Sequence, residues 1–439
     1  MKLKNIGRAA VALAASAVAV LGMSSCSTSF TVGYMFVTGA ATGSGTQFGQ
    51  IATYKIQNNT GQLVQTGIIS SAGVNPIQAV VSATGTYVYV LNAGCGNPGQ
   101  AACSNGGQPQ PSQIDVFSVG GTGRLTHQAT YSPQGTNTLN IQINGGFLYA
   151  LDQYAPADPS VGGLQTIGDV TAFSIDPNTG RLTTQLNNQQ KNSNGQPLTY
   201  FPVGTNPVWM SISGSFVFVA EQGVGTANDP SQAIFIYNQS SSTGQLTPTQ
   251  STPTPTGAVQ LTYVYATGST VYALDAGTPL PLAQAGGSGV TGQILIYTVA
   301  SGGTLGGGIV AKPNTGQNSS ARFPYRMIVN DSHKFVWVAN AGVNTDVNAI
   351  GSVITAYTIQ TNNELADANN GGNLIPSGAS PRSIVEDPSN QYVYTVNFND
   401  SSITGKKIDQ NAGGLNALPK AMPAPPGSPT WAAVSGSTF

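Results

Sequence analysis

Only 31 of 439 residues are charged, 15 basic and 16 acidic, so any gathering of charges in this chain is a candidate for chemistry. Two arginines follow prolines closely, in Pro324-Tyr325-Arg326 and Pro381-Arg382-Ser383. Three carboxylates end short apolar runs: Asp152 in FLYALD, Glu221 in FVFVAE and Asp275 in TVYALD. A guanidinium holds a carboxylate or phosphate through two parallel hydrogen bonds. A carboxylate within reach of water orients or deprotonates it for attack on a carbonyl carbon. Glu221 and Arg326 are the candidate catalytic pair on this reading. The alternative is that these side chains cap strand ends and fill a channel with hydrogen bonds, as buried polar groups must.

The elements that would position them recur along the chain. Runs of the form YVYVLN begin at Tyr34, Tyr87, Phe147, Phe216, Thr270, Phe335 and Tyr392. They lie about 50 to 70 residues apart, the spacing of a four-stranded propeller blade with its loops. The runs are apolar almost throughout, as expected of strands packed on both faces. After each comes a strand of the form Ile/Val-x-x-aromatic, such as Ile114 to Phe117. Only the last copy, Ile403 to Lys406, lacks the aromatic. A turn then leads to Leu, as in Gly61-Gln62-Leu63, Gly180-Arg181-Leu182 and Asn363-Glu364-Leu365. Gly or Asn there supplies the positive φ that a tight hairpin requires.

Ahead of most runs stands a Pro-led strand, as at Pro76, Pro207, Pro324 and Pro381, since Pro is tolerated at the start of a strand. The last copy, Ser428-Pro429-Thr430-Trp431, has no full blade after it, and the run at Tyr34 has no such strand before it. The reading is an all-β, seven-bladed β-propeller, closed by pairing the C-terminal strand with the N-terminal blade. It forms one domain over residues 27–439.

Long connections follow the second strand of several blades, from Ala93, Gln153, Ala276 and Ala341, so one face of the disc carries the variable loops where binding usually resides. The start of each first strand and the end of each second strand reach the same rim. This brings Gln78, Asn92, Asn140, Trp209, Gln260, Asn340, Asn397 and Trp431 around the axis with the charged residues above, as a candidate ligand-binding set. Trp209 and Trp431 could floor a ring-shaped ligand or serve the core. His127 falls in an outer strand and His333 in an opposite-face turn, away from the axis. No nucleophile elbow, phosphate loop or metal-ligand spacing occurs, and no cofactor or metal is expected. With net charge −1 and no basic run, nucleic acid is an unsuitable partner. So few ionisable groups also predict a fold insensitive to pH.

The first 26 residues form a targeting segment: Lys2, Lys4 and Arg8 precede an apolar stretch from Ala9 to Gly22 that is too short to span a bilayer. Met23-Ser24-Ser25-Cys26 resembles a bacterial lipoprotein signal, which would make Cys26 a lipidated N-terminus in the cell envelope, sorted to the outer membrane. An ordinary cleaved signal with Cys26 incidental is the alternative. Cys95 and Cys103 lie in one short loop, and export to an oxidising compartment predicts a local disulfide.

The rhythm of Pro-x-x strand, apolar run ending in Asn or Glu, and Gly-x-Leu hairpin resembles the seven-bladed propeller lactonases, the 6-phosphogluconolactonase-like family, from about Val32 to Trp431. The resemblance implies hydrolysis of a sugar lactone without a cofactor. Arg382 matches the Arg of the family's Pro-Arg-His motif, but Ser383 stands in place of its His. The alternative function is a non-catalytic, envelope-tethered monomer whose loop face binds a glycan, a small molecule or a protein, with the membrane reached only through the lipid.

Overall fold

The apolar runs pair as the second strands of seven antiparallel sheets, four of them four-stranded and three carrying a short fifth strand, with a separate two-stranded sheet beside them, in a computed structural model of the chain. It describes residues 30–40, 48–103, 108–157, 167–222, 232–277, 292–311, 323–342, 352–368 and 374–436. All regular elements among the described residues are strands. The segment holding Cys26 and much of the long loops lie outside those residues.

Blades are numbered here by their innermost strands: Pro76–Val81, Thr136–Asn144, Pro207–Ser213, Leu261–Thr267, Pro324–Val329, Pro381–Glu386 and Ser428–Gly436. Blade seven is completed from the other end of the chain by Thr31–Ala40, Gln50–Gln57 and Leu63–Ser70. Its closing register pairs Val37 with Ala432 and Thr38 with Trp431. The strand Ser428–Gly436 packs between the innermost strands of blades six and one, so the ring is complete.

The second strands explain their own sequence. Side chains alternate between the two faces of a strand, and here both faces meet a neighbouring blade. Val88, Tyr89, Val90 and Leu91 are therefore all fully buried. Their aromatics also fasten blade to blade. Tyr89 Oη donates to the Gly180 carbonyl of the next blade, Tyr149 Oη to Gly244, Trp337 Nε1 to Gly413 and Tyr394 Oη to Gly61. Each acceptor is the glycine of a Gly-x-Leu hairpin. Gly413 has φ 73°, and a Cβ there would stand 2.3 Å from the Phe335 ring. Glycine is thus required both for the turn and for the neighbouring ring to approach.

Innermost strands are also clamped together. The Ile141 amide donates to Gln78 Oε1 at 2.6 Å, Asn140 Nδ2 donates to the Met210 carbonyl, and the Ala266 amide donates to Ser211 Oγ. Cys95 and Cys103 are joined by a disulfide at the base of their loop.

Candidate functional site

All seven innermost strands carry a register shift at Pro or its equivalent, at Pro76/Gln78, Thr138/Asn140, Pro207/Trp209, Leu261/Tyr263, Pro324/Arg326, Pro381/Ser383 and Pro429/Trp431. A bulge of this kind re-aims the extra residue. The entering chain is already twisted, because Asn75, Asn137, Asn206, Phe323 and Ser380 each have φ between 50° and 57°. Asn adopts that conformation readily, whereas for residues such as Phe323 and Ser380 it costs about 1–2 kcal/mol. Together the turn and bulge point the residue after the Pro or its equivalent at the axis. Ile77, Leu139, Val208, Tyr325, Arg382 and Thr430 accordingly line an axial cavity of about 380 Å³, with Trp209, Arg326, Trp431 and Phe398. That volume suits a small ring-shaped ligand.

The cavity floor is aromatic. Trp209 of blade three and Trp431 of blade seven stack across the axis with centroids 5.6 Å apart, and Tyr263 lies 5.1 Å from Trp209. The Arg326 guanidinium sits over the Trp209 ring at 4.0 Å and over Tyr325 at 4.1 Å. Its Nη1 donates to the Tyr325 carbonyl at 2.7 Å, while Nε has no partner. Burial draws this guanidinium below its ordinary value, partly offset by the neighbouring phenols of Tyr325 and Tyr263. Arg382, one blade on, donates from Nη1 to Tyr325 Oη at 3.2 Å and lies over the Tyr325 and Phe398 rings, each at 5.0 Å. Its Nε is buried without a partner. Among the described residues neither arginine has a carboxylate partner; the ion pair found there is His127 with Asp115. Two guanidiniums without carboxylate partners over an aromatic floor are chemically suited to receive an anionic ring.

The structure brings together Arg326, Arg382, Trp209 and Trp431, and sends the other candidates elsewhere. Gln78 and Asn140 stand two residues after the Pro or its equivalent and are taken up by the clamps between blades. Gln260 is a correction: Leu261 pairs with Asp275 as the proline does elsewhere, so Gln260 precedes the strand and Tyr263 fills the equivalent slot. This repeat has no Pro to phase the reading, and the Gln260 amide instead donates to Asp275 at 2.8 Å.

The residues that end the second strands turn away from the cavity, toward the connection arriving from the preceding blade or toward the third strand of their own. Asp275 accepts from the amides of Val259, Gln260 and Gly277. Asp152 accepts from the Gly135 amide and the Thr138 hydroxyl. Asn92 donates to Ser71, Asn340 to Thr355, and Asn397 to Ser402 and Thr404. Each is fully buried, which makes its role capping rather than ligand contact. Asp152 also faces Asp169 across the strand pair. Burial pushes both carboxyls up, and the Asp169 oxygens are buried without a hydrogen-bond partner.

Glu221 follows the same rule. Its carboxyl packs against Gly204, where a Cβ would overlap Oε1, and it does not line the axial cavity with Arg326. Its Oε1, like Asn92 Oδ1 and Asn340 Oδ1, has no hydrogen-bond partner, and burial pushes the carboxyl up to about 8. The residues that sequence reasoning missed are Tyr325 and Phe398. The signal for Tyr325 was its place between the proline and Arg326, one step from the position taken to face inward.

No protein-family model matches the chain, and no curated protein matches it. Solved structures do. A Bacteroides uniformis protein provisionally named a 6-phosphogluconolactonase is 14% identical with TM-score 0.65, covering 92% of this chain and 100% of its own. A periplasmic gluconolactonase of Pseudomonas aeruginosa is 14% identical with TM-score 0.64, covering 93% and 100%. A protein from Lactobacillus plantarum is 16% identical with TM-score 0.64, covering 92% and 100%. The chain shares their seven-bladed propeller fold. Identities this low carry the fold, and activity has to be argued from the cavity.

Proposed function

We propose that the protein is an exported hydrolase that opens the lactone ring of a sugar acid in the axial cavity, with Arg326 and Arg382 receiving the substrate's anionic or carbonyl oxygens. The observation that carries this reading is the convergence of two guanidiniums, free of carboxylate partners, on a cavity of sugar size above stacked tryptophans. Hydrolysis of a lactone builds negative charge on the carbonyl oxygen and ends in a carboxylate, and preorganised donors favour both. The names of the structural neighbours from Bacteroides uniformis and Pseudomonas aeruginosa support the substrate class, and the latter's periplasmic description accords with the N-terminal targeting segment.

A second reading is favoured by one observation: no Asp, Glu or His lies among the described residues that line the cavity. On it, the same cavity binds an anionic sugar without turning it over. The deciding experiment measures hydrolysis of gluconolactone and its 6-phosphate above the spontaneous rate, alongside calorimetric binding of the corresponding acids. Excess hydrolysis that Arg326→Met and Arg382→Gln diminish supports the enzyme. Binding of the acids without excess hydrolysis supports the receptor.

A further inference from the structure

We propose that Tyr325 is the proton-transfer group of the axial cavity, a phenolate that takes a proton from the attacking water and returns it to the departing ring oxygen. The inference rests on the hydrolytic reading above and supplies the base that the cavity otherwise lacks. Among the described lining side chains the Tyr325 phenol is the one able to carry negative charge. It stands between two cations: Arg382 donates to its oxygen at 3.2 Å, and Arg326 lies over its ring at 4.1 Å. Two like charges brought together without a carboxylate repel, and ionising the phenol relieves that repulsion.

The titratable groups facing Tyr325 are Arg326 from its own strand and Arg382 from blade six, with Tyr263 of blade four beyond Arg326. Burial pushes the Tyr325 phenol up, but the two guanidiniums outweigh it and hold the group below its ordinary value. Tyrosines buried away from arginine go the other way, with Tyr272 and Tyr297 pushed up to about 12. A base is most effective when its pKa lies near the working pH, which is the direction this environment supplies.

The step balances within the cavity. Water oxygen bonds to the lactone carbonyl carbon as its proton passes to the Tyr325 oxygen, and the carbonyl electron pair moves onto oxygen facing the guanidiniums. Collapse re-forms the carbonyl and breaks the bond to the ring oxygen, which takes the proton back from Tyr325. The phenolate is restored, the product carboxyl releases its proton to solvent, and nothing is oxidised or reduced.

Tyr325→Phe keeps the ring on which Arg326 stacks and removes only the hydroxyl, so it tests the proposal with the fold intact. On gluconolactone or its 6-phosphate, kcat should fall about 100-fold or more with KM little changed, and the rise of activity with pH should vanish. The difference in tyrosinate absorbance between wild type and variant should show a single phenol ionising below the ordinary value of about 10, and Arg382→Gln should move that ionisation upward. Wild-type hydrolysis that Tyr325→Phe leaves unchanged in rate and pH profile overturns the base role while the hydrolytic reading stands. Ionisation of Tyr325 at or above the ordinary value overturns it too. Absence of wild-type hydrolysis removes the hydrolytic reading and the base role together.

Discussion

Replacing Arg326 by Met separates a binding site from a structural plug. Arg326 is 9% exposed, and its guanidinium makes one hydrogen bond and lies over two aromatic faces at 4.0 and 4.1 Å. Removing it forfeits about 3 kcal/mol of cation–π attraction, taking about 1.5 for each desolvated face, and about 1 kcal/mol for the hydrogen bond. It also relieves the desolvation of an ion without a carboxylate partner, several kcal/mol in the opposite sense. Met fills much of the same volume, so the two sides cancel and the variant should unfold in urea within about 1 kcal/mol of wild type. Binding behaves differently. A charge-assisted hydrogen bond to an anion contributes about 1.5–3 kcal/mol, so affinity for gluconate or 6-phosphogluconate should drop about 10- to 150-fold. Urea melts and titration calorimetry on the same preparation read both quantities. A loss of about 3–5 kcal/mol in stability with affinity unchanged would mean that Arg326 is there to fill the ring, and the reasoning about an anion receptor fails.

Two further outcomes follow from the packing and the buried carboxyls. Gly145→Ala, where φ is 58° and nothing lies within 4 Å of the new methyl, should lose about 1 kcal/mol of stability from backbone strain alone. Gly413→Ala adds a clash with the Phe335 ring and should lose about 2–3 kcal/mol more; equal losses in the two variants would contradict the close approach of blades. Stability should also decline as pH rises, against the insensitivity expected from so few charges. Burial pushes Glu221 to about 8 and Glu386 to about 7, and raises Asp152 and Asp169, whereas the unfolded chain titrates near 4. Stability is therefore full below about pH 4, declines progressively as pH rises from there, and levels off once pH passes about 7–8. Urea melts across this range should show the decline, and Glu221→Gln should flatten its upper part.

The ring was legible in the sequence because its determinants are local. Apolar runs packed on both faces, hairpin residues with positive φ, and half-repeats at the two ends each follow from backbone geometry within a few residues. The same holds for the cysteine pair. The site was less legible because it depends on where a side chain points after a bulge, and the bulge leaves no residue-type signature. One position separates Tyr325, which lines the cavity, from Gln78 and Asn140, which occupy the next position and clamp neighbouring strands. Arg326 and Trp209 are long enough to reach the cavity from that same position. Glu221 reads like a catalytic acid by type, but the strand end that carries it faces the incoming connection at Gly204. Phase was lost altogether in the repeat without proline, where Tyr263 rather than Gln260 takes the inward slot.

The strand Ser428–Gly436 closes the ring against Thr31–Ala40, and the bonded residues Thr38 and Trp431 are 393 positions apart. Bringing ends so distant together costs about 5 kcal/mol of chain entropy, roughly 3 kcal/mol more than closing a short hairpin. The latch is thus the last pairing to become favourable. It also cannot form before residue 436 has left the ribosome and, for a chain that crosses a membrane, the translocation pore. Until then Thr31–Ala40 has a free edge, ready to pair with any strand of matching sequence. The matching strand of a second copy satisfies it as well as the chain's own, so crowding during folding favours dimers that have traded their final strands.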